Sequence, residues 1–147
     1  MSGNLTHSPA DILRHLLVNA GQGALRSVSQ TWPIDCGNMP DKPDDSMCVY
    51  DTAPVQQGTD QTSGEQLENY GATVVVRHTT RSDGWTKAKT LDTYLQESVR
   101  NVGVTIGSSV YLVYAVTKTS GPIALREEGT KRFLFNINAV VSLRQTI

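Results

Sequence analysis

The chain has 147 residues, a length at which roughly 68–70% of the extended-chain surface can be buried, so one domain with one core is the simplest organisation. A formal net charge of −1, with Lys and Arg scattered along the length, gives no electrostatic case for binding nucleic acid or an anionic membrane. The apolar fraction of 38% and mean hydropathy of −0.29 are low, but the apolar residues are clustered and periodic, which points to a folded domain with polar loops.

The opening "MSGNLTHSPADILRHLLVNAG" lacks the basic start of a signal peptide, and Asp11, Arg14 and His15 interrupt its apolar stretch. No apolar run reaches the roughly 18 residues that span a bilayer. The reading is a soluble intracellular protein with its two cysteines reduced. A first helix is expected from Ser8 to Ala20. Ser8 can cap it, Pro9 suits its first turn, and Ile12, Leu13, Leu16, Leu17 and Ala20 share a face before Gly21 ends it.

Ser27–Cys36 and Met47–Asp51 read as strands around a turn. The stretch "WPIDCGNMPDKPDDSMCVYDT" holds both cysteines and five aspartates, which raises the question of a metal site. A calcium loop starting at Asp41 would place Pro43, Ser46 and Thr52 at the third, sixth and twelfth positions, so that template fails. Zinc needs paired Cys/His clusters, and Cys36 and Cys48 stand alone with no histidine between Asp35 and Asp51. Two prolines and the self-bonding aspartates make a turn the better reading. A hairpin symmetric about Lys42 would set Cys36 opposite Cys48, making a disulfide geometrically conceivable; two small buried thiols are the plainer alternative.

Thr52–Asn69 is polar and aperiodic and reads as a long loop. "YGATVVVRHTT" is a strand with β-branched residues at its centre. Ser82 or Asp83 would cap a second helix with Trp85, Ala88, Leu91, Leu95, Val99 and Val102 on one face. Lys87, Lys89, Asp92, Gln96 and Arg100 would lie on the other, with Gly103 and Gly107 breaking it up. "SVYLVYAVTK" suits a central strand covered on both sides. After a second loop, "TSGPIALREEGTK", the segment "RFLFNINAVVSLR" alternates apolar and polar from Phe133 to Leu143, the strongest strand signal in the chain. The fold class is α+β: a mostly antiparallel β-sheet with two main helices packed on one face.

Chemistry is sparse. "GQGALR" (Gly21 to Arg26) follows a helix and lacks a third glycine, so it reads as a helix end. His7, His15 and His78 have no nucleophile in a recognisable setting. "REEGTKR" (Arg126 to Arg132) reads as a solvated loop of mixed charge, with a phosphate or carboxylate grip as the alternative. No catalytic, metal-binding or cofactor-binding residue is assigned, and none of these groups is expected.

Taken in order, "SPADILRHLL", "GNMPDKPDD…VYDT", "GATVVVRH", "DGWTKAKTL" and "EEGTKRFLFNIN" resemble the tail terminator proteins of long-tailed bacteriophages, from Ser8 to Leu143. The resemblance implies a small α+β domain, not an enzyme, that assembles with itself into a ring of six at the head-proximal end of the virion tail. Such a ring stops polymerisation of the tail tube protein and offers a surface to the head-tail connector, while DNA passes through the lumen without specific binding and no membrane is involved. Within that picture the two polar loops are the docking elements, and Gln56, Gln57, Asp60, Glu65, Arg126, Glu127 and Glu128 are the candidate interaction residues. The rivals are another neck or connector completion protein or a tube subunit, then a small hydrolase, then a nucleic-acid-binding module.

Overall fold

The computed structural model describes residues 5–25, 27–29, 31–52, 55–59, 66–127, 129 and 131–147, with the backbone alone for 55–59 and 66–68. Helix α1 (Pro9–Asn19) is capped by the Ser8 hydroxyl, which accepts from the Asp11 N–H, and Ala20 closes it. Its start is also held from the sheet, because the Asp51 carboxylate accepts the Ala10 N–H at 2.8 Å. Helix α2 (Arg81–Glu97) starts after Thr80, not at Ser82 or Asp83, and no side chain caps it.

Seven strands make one sheet: β1 (Ile34–Cys36), β2 (Ser46–Asp51), β3 (Val55–Thr59), β4 (Gln66–His78), β5 (Arg100–Ile106), β6 (Ser109–Arg126) and β7 (Phe133–Gln145). The order across it is β1-β2-β4-β7-β6-β5, with β3 attached to β4 alone. Every pairing is antiparallel except β1 with β2, so the sheet is mixed.

Alternation along the strands gives the sheet two faces. Met47, Val49, Val74, Val76, Phe135, Ile137, Val141, Tyr111 and Val113 turn to one of them. They form a single buried cluster with Ile12, Leu13, Leu16 and Leu17 of α1 and Ala88, Leu91 and Leu95 of α2. Both helices therefore cover the same face, as the apolar periodicity predicts. Gly84 allows α2 to come close, for a Cβ there would collide with the buried Phe135 ring.

Four expectations are corrected. The strand expected over Ser27–Cys36 shrinks to Ile34–Cys36, because Trp32 takes φ +48° and Pro33 has no N–H to donate. The link from β1 to β2 is no hairpin. The strands run parallel, with Asp35 beside Cys48 and Cys36 beside Val49, so the two cysteines point to opposite faces and both are free thiols. The expected second helix stops at Glu97; Val99 is buried just beyond it, and Val102 belongs to β5, which a two-residue turn with Gly107 at φ +60° joins to β6. Both expected loops contain strand. Thr52–Asn69 contains β3 and the start of β4, and Thr119–Lys131 contains the last part of β6, which pairs with β7 as far as Arg126↔Phe133.

Candidate assembly surface

On the uncovered face, the Gly37–Asp45 connection between β1 and β2 is fastened by two arginines. Arg77 of β4 is 3% exposed and serves as a backbone clamp. Its Nη2 donates to the carbonyls of Pro40 (2.8 Å), Asp41 (3.1 Å) and Pro43 (2.8 Å), and its Nε donates to that of Asp44 (3.0 Å). Arg132, just before β7, adds charge. Its Nη1 donates to the Asp41 carbonyl at 2.7 Å and the Asp44 carboxylate at 3.3 Å; its Nη2 reaches the carboxylates of Asp41 (2.9 Å) and Glu127 (2.5 Å).

Burial and the neighbouring Arg132 charge push the Arg77 pKa down, whereas the Glu127 hydrogen bond pushes that of Arg132 up. Lys42 and Arg132 hold Asp44 below the usual carboxylate range, the Lys42 hydrogen bond being the larger cause. These carboxylates are thus spoken for by arginine and lysine. Among the described residues no group of three or more His, Cys, Asp or Glu side chains could hold a metal.

"REEGTKR" is corrected here too. Arg132 is 8% exposed and its charge is used inside the molecule, so the segment is not a solvated loop throughout.

The sheet ends in open edges. β5 covers β6 only from Ser109 to Ala115, and among the described residues no strand pairs with the outer side of β6 from Val116 to Arg126. Ile123 and Leu125 stand 43% and 47% exposed along this stretch, and the register sets Leu134 beside Leu125. At its inner end Gln96 of α2 accepts the Lys118 N–H at 3.4 Å, in the manner of a neighbouring strand. Asp92 sits one helical turn away, 4% exposed, with Oδ2 3.0 Å from Lys118 Nζ. Asp92 Oδ1 and Gln96 Nε2 are both buried without a hydrogen-bond partner. At the other end of the sheet, β3 bonds to β4 on one side alone, and the β3–β4 hairpin runs past the last β4–β7 pair, Asn69↔Ser142.

The expected interaction residues fall into two groups. Gln56 and Gln57 lie on β3, where the backbone is described and the side chains are not. Asp60, Glu65 and Glu128 lie outside the described residues. Arg126 is exposed at the end of β6, its guanidinium 5.9 Å from the Phe133 ring centre, and Glu127 is engaged by Arg132. Of the described ones, Gln56 and Gln57 belong to the β3–β4 pair and Arg126 and Glu127 to the end of β6 and the residue after it. Sequence reasoning missed Arg77, Arg132 and Asp92. The first gave no signal, since an arginine late in a strand is ordinarily solvated.

The histidines have structural partners. His7 Nδ1 lies 2.6 Å from the Tyr111 hydroxyl, His15 Nδ1 is 2.9 Å from the Asp11 carbonyl, and the His78 ring lies 5.6 Å from that of Trp32. An open groove along α2, lined by Trp85, Thr86, Lys89, Thr90 and Thr93, presents threonine hydroxyls partly used on the helix's own backbone. No helix among the described residues is long and apolar enough to cross a membrane.

No protein-family model and no curated protein matches the chain. Among solved structures, a chain of the virion of a native gene transfer agent particle is similar over 74% of this chain and 77% of its own, with 10% identity and a TM-score of 0.49. A second solved chain is similar over 94% of this one and 97% of its own, with 14% identity and a TM-score of 0.48. Likeness at that level does not carry a role from one protein to another.

Proposed function

We propose that this chain is a structural protein of a phage-like virion, a tail terminator that forms a ring on the head-proximal end of the tail tube. The ring would end tube polymerisation and supply the surface that joins the head. The observation that carries this reading is the pair of open sheet edges, β6 beyond Ala115 and β3, on a domain whose other sheet face is sealed by both helices. Backbone groups on such edges are the ordinary means of joining one sheet to another chain, and a head-to-tail contact that closes by rotation gives a ring.

The clasp adds support. The two most specific pieces of the resemblance, "GNMPDKPDD…VYDT" and "EEGTKRFLFNIN", lie far apart in the chain yet meet through Arg132, Asp41, Asp44 and Glu127. A motif pair that forms one structural unit is what a shared fold would retain, with no reactive group in it.

The test is electron microscopy of particles made without the protein. Overlong tubes lacking heads are expected. Full heads lacking tails would make the chain a connector protein instead, and a complete absence of tubes would make it a tube subunit.

A further inference from the structure

His78 stands where four parts of the molecule meet. It ends β4, and Phe133 of β7 lies opposite it in the register. Its ring lies 5.6 Å from that of Trp32, shortly ahead of β1, and its Nε2 is 3.4 Å from Asp45 Oδ1, at the end of the Gly37–Asp45 connection. Its Nδ1 accepts the Thr80 N–H at 2.8 Å. Thr80 is the N-cap of α2, and no side chain caps that helix. The ring therefore takes the backbone N–H that the third helical residue takes in a capping box; here that residue is Asp83, which is exposed.

These bonds set the form of the ring. A nitrogen that accepts a backbone N–H carries no proton, so the neutral ring keeps its proton on Nε2, toward Asp45. In a charged ring both nitrogens are donors, and Nδ1–H would meet the Thr80 N–H donor to donor. The charge would also stand at the N-terminus of α2, where the helix dipole disfavours a cation, and beside the Trp32 ring, which already carries the Lys87 ammonium at 5.4 Å. Asp45 pulls the other way, since charging the ring makes that contact an ion pair. The other charges on the surrounding elements are turned elsewhere. Arg77 is committed to the opposite sheet face, Arg81 and Asp83 are exposed on the first turn of α2, and Arg126 lies over the Phe133 ring.

We infer that His78 is a proton-operated latch between α2 and the Gly37–Asp45 connection. Uncharged, it holds the start of the helix through Thr80; charged, it releases Thr80 and turns to Asp45. One contact is exchanged for another, so acid loosens the entry to α2 and leaves the sheet and the arginine clasp in place. Imidazole suits such a device because it is the side chain whose ordinary change of charge falls between about pH 5 and 8. With the side chain 13% exposed, the ring answers to these neighbours more than to bulk water.

The experiment is hydrogen–deuterium exchange of the full chain between about pH 8 and pH 5, each rate divided by the open-peptide rate at the same pH. Wild type is expected to lose protection about threefold to tenfold over Thr79–Trp85 at the acid end, the loss of one hydrogen bond, with β7 unchanged. His78→Asn keeps an acceptor near the place of Nδ1 and cannot take up charge, so its protection is expected to be the same at both ends. Asp45→Asn removes the pull toward the connection, and its loss is expected at lower pH than that of wild type. Asp45 is 48% exposed, so this second variant keeps the test alive should His78→Asn fail to fold. Wild-type protection that does not change with pH overturns the inference. So does a loss as large in His78→Asn, or an Asp45→Asn curve that coincides with wild type.

Discussion

Arg132 holds Asp41 across 91 positions of sequence, binding its carbonyl at 2.7 Å and its carboxylate at 2.9 Å, while Arg77 takes the same carbonyl from the other side at 3.1 Å. The two arginines have different weights. The Asp41 side chain is 78% exposed, so its ion pair with Arg132 is well screened. Arg77 is buried and donates to four backbone carbonyls of the connection at once. Replacing it removes all four bonds together and empties a buried site, and Arg77→Ala is expected to destabilise by about 2–4 kcal/mol, against about 1 kcal/mol for Arg132→Ala. Urea unfolding of both variants checks the ranking. Equal losses would mean that the charge network, and not the backbone clamp, secures the connection.

Cys36 and Cys48 face opposite sides of the sheet, and burial raises both thiol pKa values. A bridge would require a strand to turn over. Oxidation of the native chain with diamide is therefore expected to form no intramolecular disulfide. Cys48, fully buried, should react with a thiol reagent only as the protein unfolds. Mass spectrometry of the oxidised, digested chain decides the first point. A Cys36–Cys48 peptide recovered in good yield would contradict the parallel pairing of β1 and β2.

What could be read from the sequence follows burial. Strand β7 was legible because Phe135, Ile137, Ala139, Val141 and Leu143 are buried beside less buried neighbours, so the period of two is written in the residue types. The edge of β6 was not. From Thr117 onward most of its residues are exposed or half-buried, and with no sealed face there is no alternation to detect. Strand β5 was hidden by coincidence, since Val99 and Val102 continue the helical spacing of Leu91 and Leu95. Asp92 was placed on a solvated face by its type, yet it is buried because Lys118 of β6 rises to meet it. The candidate residues split in the same way. A polar loop draws attention to Gln56 or Arg126, but only strand order shows that they stand on opposite edges of one sheet.

Gly84 tests the close packing of α2 on the sheet. In an exposed helix Gly→Ala gains about 1 kcal/mol from backbone entropy. Here the added Cβ would strike the Phe135 ring and crowd the His78 Cβ at 3.1 Å, and Phe135 is fully buried with no room to swing aside. Overpacking of a filled core costs about 1–3 kcal/mol, so the sign reverses and Gly84→Ala is expected to destabilise. Thermal melting of the variant is the check. A rise in midpoint would show that α2 can lift from the sheet at its first turn.

Tyr50 gives the fold an alkaline limit. It lies on the uncovered face two residues from Cys48, and its pKa is pushed up from 10 to about 12, first by burial and then by the hydrogen bond and charge of Cys48. The neutral phenol is thus preferred in the folded state. Below pH 10 both folded and unfolded chains keep the proton, and Tyr50 adds no pH dependence. Between pH 10 and about 12 the unfolded chain loses it while the folded chain retains it, so unfolding releases a proton and stability falls as pH rises. Tyr50→Phe removes that proton from both states. The wild type is therefore expected to lose more of its melting temperature than Tyr50→Phe across this interval, with the two curves parallel at lower pH. Parallel curves throughout would show that the phenol titrates in the folded protein as it does in the open chain, and that the face bearing Tyr50 is more hydrated than its packing implies.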